Sequence, residues 1–449
     1  MARLPAHRVA GSYLAQRVRF GMKFGLETMR ALVAEMGHPE RAYPCLLIAG
    51  TNGKGSVAAY CDAALRASGL RTGRYTSPHL VRVNERITVD GREITDRDFA
   101  TAVRAVRDAA DRLVRRRVLE AHPTFFEVLT AAALAHFRRL QVDVAVLEVG
   151  LGGRLDATNV VEPLASAIVS LAFDHEVYLG RSLASIAAEK AGVMREGRST
   201  VIGPLPEEAR RAVRTRARVV GARVVEALRE ARLVAPEPGP GGGPRPRLAL
   251  ITPSAAYRGL LPLPGAHQRD NLLVAIRLLE EAKRAGLGVN LARVAGAVAG
   301  TRWPGRLQRI PGEPAIVLDG AHNPAGARAL AAHLSGGPPF ALVFAAMADK
   351  DVRGLARALF PLASEIVLTT PRVSRAASPE ELARRSGRLA SRAHREPSVA
   401  RALRLARRLA RAGGPRTEVV VAGSLYLVGA VLALVRRERA RRRSARTRR

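Results

Sequence analysis

Seven residues behind an apolar run carry the plainest chemistry in the sequence. Gly50-Thr51-Asn52-Gly53-Lys54-Gly55-Ser56 follows Cys45-Leu46-Leu47-Ile48-Ala49 and leads into a helical pattern from Ser56 to Ala67. A strand, a glycine-rich turn and a helix start make a cradle for phosphate. The glycines let backbone N–H groups close around an anion, and the helix N-terminus adds positive partial charge. Lys54 can reach the outer phosphates of a nucleotide, and the Ser56 hydroxyl can hold Mg2+. The segment departs from the usual G-x-x-x-x-G-K-[ST] pattern at Ile48, where the first glycine belongs, and at Gly55, after the lysine. It is a phosphate loop of an unusual kind.

Other polar clusters end apolar runs, where open α/β sheets keep their ligands. Tyr75-Thr76-Ser77-Pro78-His79-Leu80 puts a hydroxyl on a bent, extended backbone, although an ordinary turn reads the same way. In Leu147-Glu148-Val149-Gly150-Leu151-Gly152-Gly153-Arg154-Leu155-Asp156-Ala157-Thr158-Asn159 a carboxylate closes a buried run and glycines follow. Burying such a carboxylate idle is costly, so a metal or phosphate role outweighs a structural one. Phe173-Asp174-His175 offers an imidazole to a cation near phosphates. Glu189-Lys190 on a helical stretch reads by itself as an exposed ion pair. Val317-Leu318-Asp319-Gly320-Ala321-His322-Asn323-Pro324 ends a second-half strand, with Pro324 poised to open a helix.

These groups need two α/β scaffolds to hold them. Strand-like runs fall at 45–49, 74–76, 142–149, 165–172 and 199–202, with helical stretches at 100–120, 126–140 and 183–195 between them. Thr301-Arg302-Trp303-Pro304-Gly305-Arg306 is a Pro/Gly break, and a second rhythm follows with strands at 315–319, 340–345, 365–369 and 418–422. The Pro/Gly-rich stretch 235–247 reads as a flexible insertion inside the first scaffold. The expected division is 1–300, 301–435 and an Arg-rich disordered segment 436–449 holding nine arginines against Glu438.

At 449 residues, 47% hydrophobic, the chain supports two cores built mostly of Val, Leu and Ala. Two cysteines, Cys45 and Cys61, form neither a disulfide framework nor a metal-ligand spacing, which fits a reducing, cytoplasmic setting. The net charge of +34 comes from arginines spread through every helical stretch. Solvated surface explains it better than a specific nucleic-acid function. The 17 uncharged residues 419–435 read as strand, turn and helix rather than as a membrane anchor.

Together the loop, Thr76-Ser77-Pro78-His79, Asn84-Glu85-Arg86, Glu148-Val149-Gly150-Leu151-Gly152-Gly153, Asp156-Ala157-Thr158-Asn159, Asp174-His175, Glu189-Lys190-Ala191-Gly192 and Asp319-Gly320-Ala321-His322-Asn323-Pro324 resemble the folylpolyglutamate synthase/dihydrofolate synthase family of the Mur ligase superfamily. The ordered set runs from about Gly25 to Gly429.

The resemblance implies a Mur-type ATPase domain with a parallel-rich sheet and a smaller Rossmann-like domain that bears the glutamate ligase function. It implies ATP and Mg2+, with L-glutamate and dihydropteroate or a reduced folate as substrates, joined through an acyl phosphate. A monomer with no membrane partner is expected. Gly50, Thr51, Asn52, Gly53, Lys54, Gly55, Ser56, Asn271, Arg306 and Asp319 match positions that hold ATP. Ser56 serves one Mg2+, and Ser77, Glu148 and His175 serve a second. The residue matching Lys190 is commonly carbamylated, and His322 helps position glutamate or the acyl phosphate. Lys54, Lys190 and His322 form the implied catalytic set. Thr124, Phe125 and Arg154 fall in the folate region. Lys23 stands where some dihydrofolate-making members carry an acidic residue, so folylpolyglutamate synthesis alone remains an alternative, as does a Mur-type ligase with a different acceptor.

Overall fold

The structure is a computed structural model that describes residues 6–17, 25–237 and 247–447. Two compact units make it up. The first holds Met1–Ser77, Asn84–Pro262 and Arg269–Arg302; the second holds Pro78–Val83, Leu263–Gln268 and Trp303–Arg449. The chain therefore enters the second unit twice, by short segments, before the Pro/Gly break at Trp303.

The first unit is built on eight strands: β1 (Cys45–Ala49), β2 (Thr72–Tyr75), β3 (Ile87–Val89), β4 (Arg92–Glu93), β5 (Val144–Glu148), β6 (Ala165–Ile168), β7 (Ser199–Ile202) and β8 (Arg223–Glu226). Their order is β4-β3-β2-β5-β1-β6-β7-β8. β2, β5, β1, β6, β7 and β8 run parallel, while β3 pairs antiparallel with β2 and with β4. β1 and β5 are buried at every position, as a central parallel strand covered on both faces must be, which is why they read as continuous apolar runs. A small antiparallel sheet, β9 (Arg232–Glu237), β10 (Arg247–Ile251) and β11 (Ala256–Leu260), occupies the region read as a flexible insertion. Residues 238–246 of that stretch lie outside the described residues.

The second unit carries β12 (Gln308–Ile310), β13 (Ile316–Leu318), β14 (Phe340–Phe344), β15 (Glu365–Thr370), β16 (His394–Ser398) and β17 (Glu418–Ala422), in the order β12-β13-β17-β14-β15-β16. All neighbours run parallel except β12 with β13. Side-chain alternation splits β14 between two cores: Phe340, Leu342 and Phe344 face one, Ala341 and Val343 the other. The first core is closed by helices Pro324–Leu334, Val352–Leu359 and Pro379–Ser386, the second by Val399–Ala412 and Leu425–Thr447. The segment Pro78–Val83 packs on the last of these. Leu80 O lies 1.8 Å from where a side chain at Gly429 would begin, so only glycine fits there.

The uncharged run 419–435 is indeed β17, a left-handed Gly423 (φ +98°) and a helix, and among the described residues no helix is long and apolar enough to cross a membrane. Over its described part the segment 436–449 continues that helix to Thr447. Arginine is a good helix former, no Gly or Pro interrupts the run, and Arg407 clasps Glu438 at 3.1 and 2.9 Å.

Candidate active site

β1 leads directly into the loop, and two glycines set its path. Gly50 has φ +147° and Gly53, at the N-cap of helix Lys54–Ala67, has φ +84°. A Cβ at Gly53 would sit 2.3 Å from Asn271 Oδ1 and 2.8 Å from Val169 Cγ1. The loop is thus shaped by a glycine conformation and by a tight approach of Asn271, at the start of helix His267–Arg284. The residues after β6 clasp its other side. Thr51 N–H donates to Ser170 O at 2.8 Å, Asn52 N–H to Ser170 Oγ at 3.0 Å, and Thr51 Oγ1 accepts from Ala172 N–H at 3.2 Å. Ser170 escaped the sequence reading; its one signal was a hydroxyl ending an apolar run.

Lys54 Nζ folds back to Gly50 O (3.0 Å) and Thr51 O (3.3 Å). Lys190, read alone as half of an exposed pair, is buried, and its Nζ donates to the same Gly50 O at 3.1 Å. Glu189 pairs instead with Arg154, Oε1 accepting from Nη2 at 2.8 Å. Burial, with Lys54 nearby, pulls the Lys190 ammonium down from 10.5 to about 7, against the opposing pull of Asp174 and Asp156. The close approach of the two segments rests on glycines: a Cβ at Gly192 would lie 2.4 Å from Arg154 Cα, and one at Gly153 2.7 Å from Glu189 O.

Glu148 closes β5 with its carboxylate buried, and Oε2 accepts the Ser77 N–H at 3.1 Å. Asp156 caps the turn Ala157–Val160, taking N–H bonds from Leu151 (2.9 Å) and Thr158 (3.0 Å). Burial raises its carboxyl above the ordinary range despite those bonds. His175 adopts a left-handed backbone (φ +53°) ahead of the short helix Glu176–Leu179, with Nε2 3.8 Å from Asp174 Oδ1. No group of three His, Cys, Asp or Glu side chains suited to a metal occurs among the described residues. Ser56, Ser77, Glu148 and His175 offer one carboxylate, one imidazole and hydroxyls. That donor set fits a hard cation completing its shell with phosphate oxygens and water, as Mg2+ does.

Among the residues expected to meet folate, Thr124 is an N-cap locked in a reciprocal box with Glu127, whose Oε2 accepts the Thr124 N–H at 2.7 Å. The Arg86 guanidinium covers the Phe125 ring at 5.4 Å. Phe126 packs on Gly150, where a Cβ would meet its ring at 2.5 Å, and lies 6.0 Å from Tyr75. Lys23 lies outside the described residues.

Arg306, Asp319 and His322 gather in the second unit. Asp319 ends β13 with its carboxylate buried, accepting N–H bonds from Leu307 and Ala321, each at 2.9 Å. Arg306 Nη1 would be 3.2 Å from a Cβ at Gly320, and His322 Nδ1 bonds Gly320 O at 2.7 Å. Asn323 caps helix Pro324–Leu334, with Pro324 at its first turn. The structure therefore brings Lys54, Lys190 and Asn271 onto the phosphate loop, joins Ser77 to Glu148, and groups Arg306, Asp319 and His322 on the other unit.

Residues 305–425 match the family described as Mur ligase, glutamate ligase domain. With a phosphate loop closing the central strand of a parallel sheet, this gives the chain the fold of the Mur ligases. The chain is 33% identical over 367 residues to the dihydrofolate synthase/folylpolyglutamate synthase of Bacillus subtilis, covering 80% of this chain and 84% of that one. It is 38% identical over 353 residues to a probable bifunctional folylpolyglutamate synthase/dihydropteroate synthase of Halobacterium salinarum, covering 78% of this chain but 42% of that longer protein, so it spans less than half of that relative. Mycobacterium tuberculosis folylpolyglutamate synthase complexed with ADP superposes with a TM-score of 0.88 at 34% identity, covering 96% of this chain and 98% of that one. A bifunctional folylpolyglutamate synthase/dihydrofolate synthase with Mn, AMPPNP and L-glutamate bound gives 0.82 at 28%, covering 95% and 98%. The chain belongs to the folylpolyglutamate synthase/dihydrofolate synthase family.

Proposed function

We propose that the chain joins L-glutamate to the carboxylate of dihydropteroate, of a reduced folate, or of both, at the expense of ATP. The observation that carries this reading is the meeting of Lys54 and Lys190 on Gly50 O, in a loop shaped for phosphate within a chain of this family. A carboxylate oxygen of the acceptor attacks the γ-phosphorus, the bond to the β,γ-bridging oxygen breaks, and ADP leaves. The glutamate amine then attacks the acyl carbon; phosphate departs with the C–O electron pair and the amine loses a proton.

Lys54 and the loop N–H groups neutralise and orient the β- and γ-phosphates, supplying positive charge where the transferring group gathers negative charge. Asn271 borders the loop at Gly53, and Arg306 and Asp319 are further nucleotide-binding residues in this reading. Ser56 would hold one Mg2+ and Ser77, Glu148 and His175 a second, and these ions would supply charge stabilisation at the phosphates. Lys190, neutral for much of its population near pH 7, has the nucleophilic amine that attack on CO2 requires; the nitrogen forms a bond to carbon and sheds a proton, leaving a carbamate anion. His322 orients glutamate or the acyl phosphate. Phe125, under Arg86, offers a flat face to the folate, while Thr124 and Arg154 shape that region through the cap and the Glu189 pair. The protein acts as a monomer in the cytoplasm.

The test is ADP release by purified protein, run in parallel with dihydropteroate and with tetrahydrofolate. Release that needs L-glutamate and either acceptor supports both activities, and release with tetrahydrofolate alone restricts the protein to polyglutamylation. Silence with every pairing, despite bound ATP, rejects the reading.

A further inference from the structure

We propose that the arginine-rich end of helix Leu425–Thr447 is a docking site for the phosphate backbone of a nucleic acid, independent of base sequence. The helix has two halves. Leu427, Val428, Val431, Leu432 and Val435 are buried in the second unit's core, and there the apolar period stops. Residues 436–447 hold seven arginines and one acid. At 100° per residue Arg436, Arg437, Arg439 and Arg441 fall on more than one side of the axis. Arg436, Arg437, Arg439 and Arg441 are exposed.

This end is held in place rather than loose. Glu438, the lone acid, is taken by Arg407, and Arg439 Nη2 donates to Pro311 O at 3.0 Å. Arg411 Nη2 donates to Glu313 O, also at 3.0 Å, so helix Val399–Ala412 delivers its own last turn to the same corner. Arg408, Arg411 and Arg416 are exposed there. Both helices run back along the parallel strands and reach the amino end of β17, whereas Asp319 and His322 stand beyond the carboxyl end of β13. The basic corner is therefore at the opposite edge of the sheet from the ligase groups, and one can act without the other.

Like charges four apart, as at Arg437/Arg441, oppose the helix they sit on. A polyanion removes that repulsion. Duplex nucleic acid presents one charge per about 1.7 Å of axis, close to the helical rise of about 1.5 Å per residue. An anionic bilayer supplies charge too, but an interfacial helix needs an apolar face, and residues 436–447 offer only Ala440 and Ala445 as apolar side chains.

The experiment is fluorescence anisotropy of a labelled duplex of about 20 base pairs, titrated with the full chain at several salt concentrations. It uses a five-fold variant: Arg436→Gln, Arg437→Gln, Arg441→Gln, Arg442→Gln and Arg443→Gln. Glutamine keeps the helix propensity and spares Glu438 and Arg439. The parent binds with affinity that falls steeply with salt. The variant loses about tenfold or more at low salt, and its log–log salt slope is shallower by about 0.9 for each arginine that had met a phosphate. A control with the same charge change on exposed arginines of the first unit (Arg104, Arg115, Arg211, Arg216 and Arg258, each to Gln) keeps the parent's affinity. Three results overturn the proposal: no duplex binding by the parent at low salt, equal losses in the two variants, or preference of the parent for anionic vesicles over the duplex.

Discussion

Lys54 and Lys190 share one acceptor, the carbonyl oxygen of Gly50, at 3.0 and 3.1 Å. The chain uses arginine for almost every cation and contains lysine only at positions 23, 54, 190, 283 and 350. Two of those five meet here. An ammonium is compact and can give up its proton, whereas a guanidinium keeps its charge. Two ammonium groups facing one carbonyl repel each other, and an anion entering the loop relieves that repulsion.

Lys190 is held at about 7 when folded, against 10.5 when exposed. Below about 7 both states bind the proton, and the folded protein carries the whole cost of a buried ammonium. Between those values the unfolded chain holds more protons, so stability rises with pH; above 10.5 the cost is gone. Lys190→Met should flatten this rise in the ligand-free protein, read as the melting temperature from about pH 6 to pH 10. An unchanged profile in the variant would place the lysine in a solvated setting instead.

Lys54→Ala removes the loop's own cation. Its melting curve should stay near that of the parent, while ADP release falls on the order of 10³-fold, the scale of losing one charge-stabilising donor at a reacting centre. Turnover within a few-fold of the parent would mean that the phosphates are held elsewhere.

Gly192→Ala tests the packing that buries Lys190. The new Cβ would meet the Arg154 backbone at 2.4 Å, and backbone yields less readily than the tip of a side chain. A loss of about 1–3 kcal/mol is expected, with a melting temperature lower by several degrees. Gly197→Ala is not an equivalent change: nothing lies within 4 Å of a Cβ there, and its cost comes from φ +66° alone. Equal shifts would show that backbone strain outweighs the clash.

Much of this was legible in the residues. β1, β7 and β17 fall on the runs 45–49, 199–202 and 418–422, because strands buried on both faces are continuous apolar segments bounded by polar ones. The Asp319–Pro324 cluster was readable for a similar reason: an acid at a strand end and a proline at a helix start are local signals. Contacts between distant segments were not. Nothing near Lys190 announces that it turns inward to Gly50, since its burial depends on Gly153 and Gly192 letting two loops touch. β16 (His394–Ser398) is half exposed and polar, so it lacks the apolar signature and gains its strand from pairing with β15. Charge density over 436–447 points to disorder in an isolated peptide, while the packed half of the same helix supplies a nucleus from which the helix runs on to Thr447.

Glu148 ends β5 beside the Ser77 N–H, which fixes one carboxylate oxygen. Glu148→Gln keeps the shape and removes the charge. The Mg2+ concentration needed for half-maximal ADP release should rise by on the order of tenfold or more, and chelation should abolish release in the parent. An identical metal requirement in the variant would remove Glu148 from the cation site.

In the proposed reaction the loop's anion site powers amide formation between a folate-type carboxylate and L-glutamate. ADP release measured with acceptor and glutamate supplied separately and together tests it most directly. Release is expected only when both are present, with one new glutamyl amide formed per ADP. Release that ignores glutamate, or none with any acceptor while ATP is bound, would contradict it.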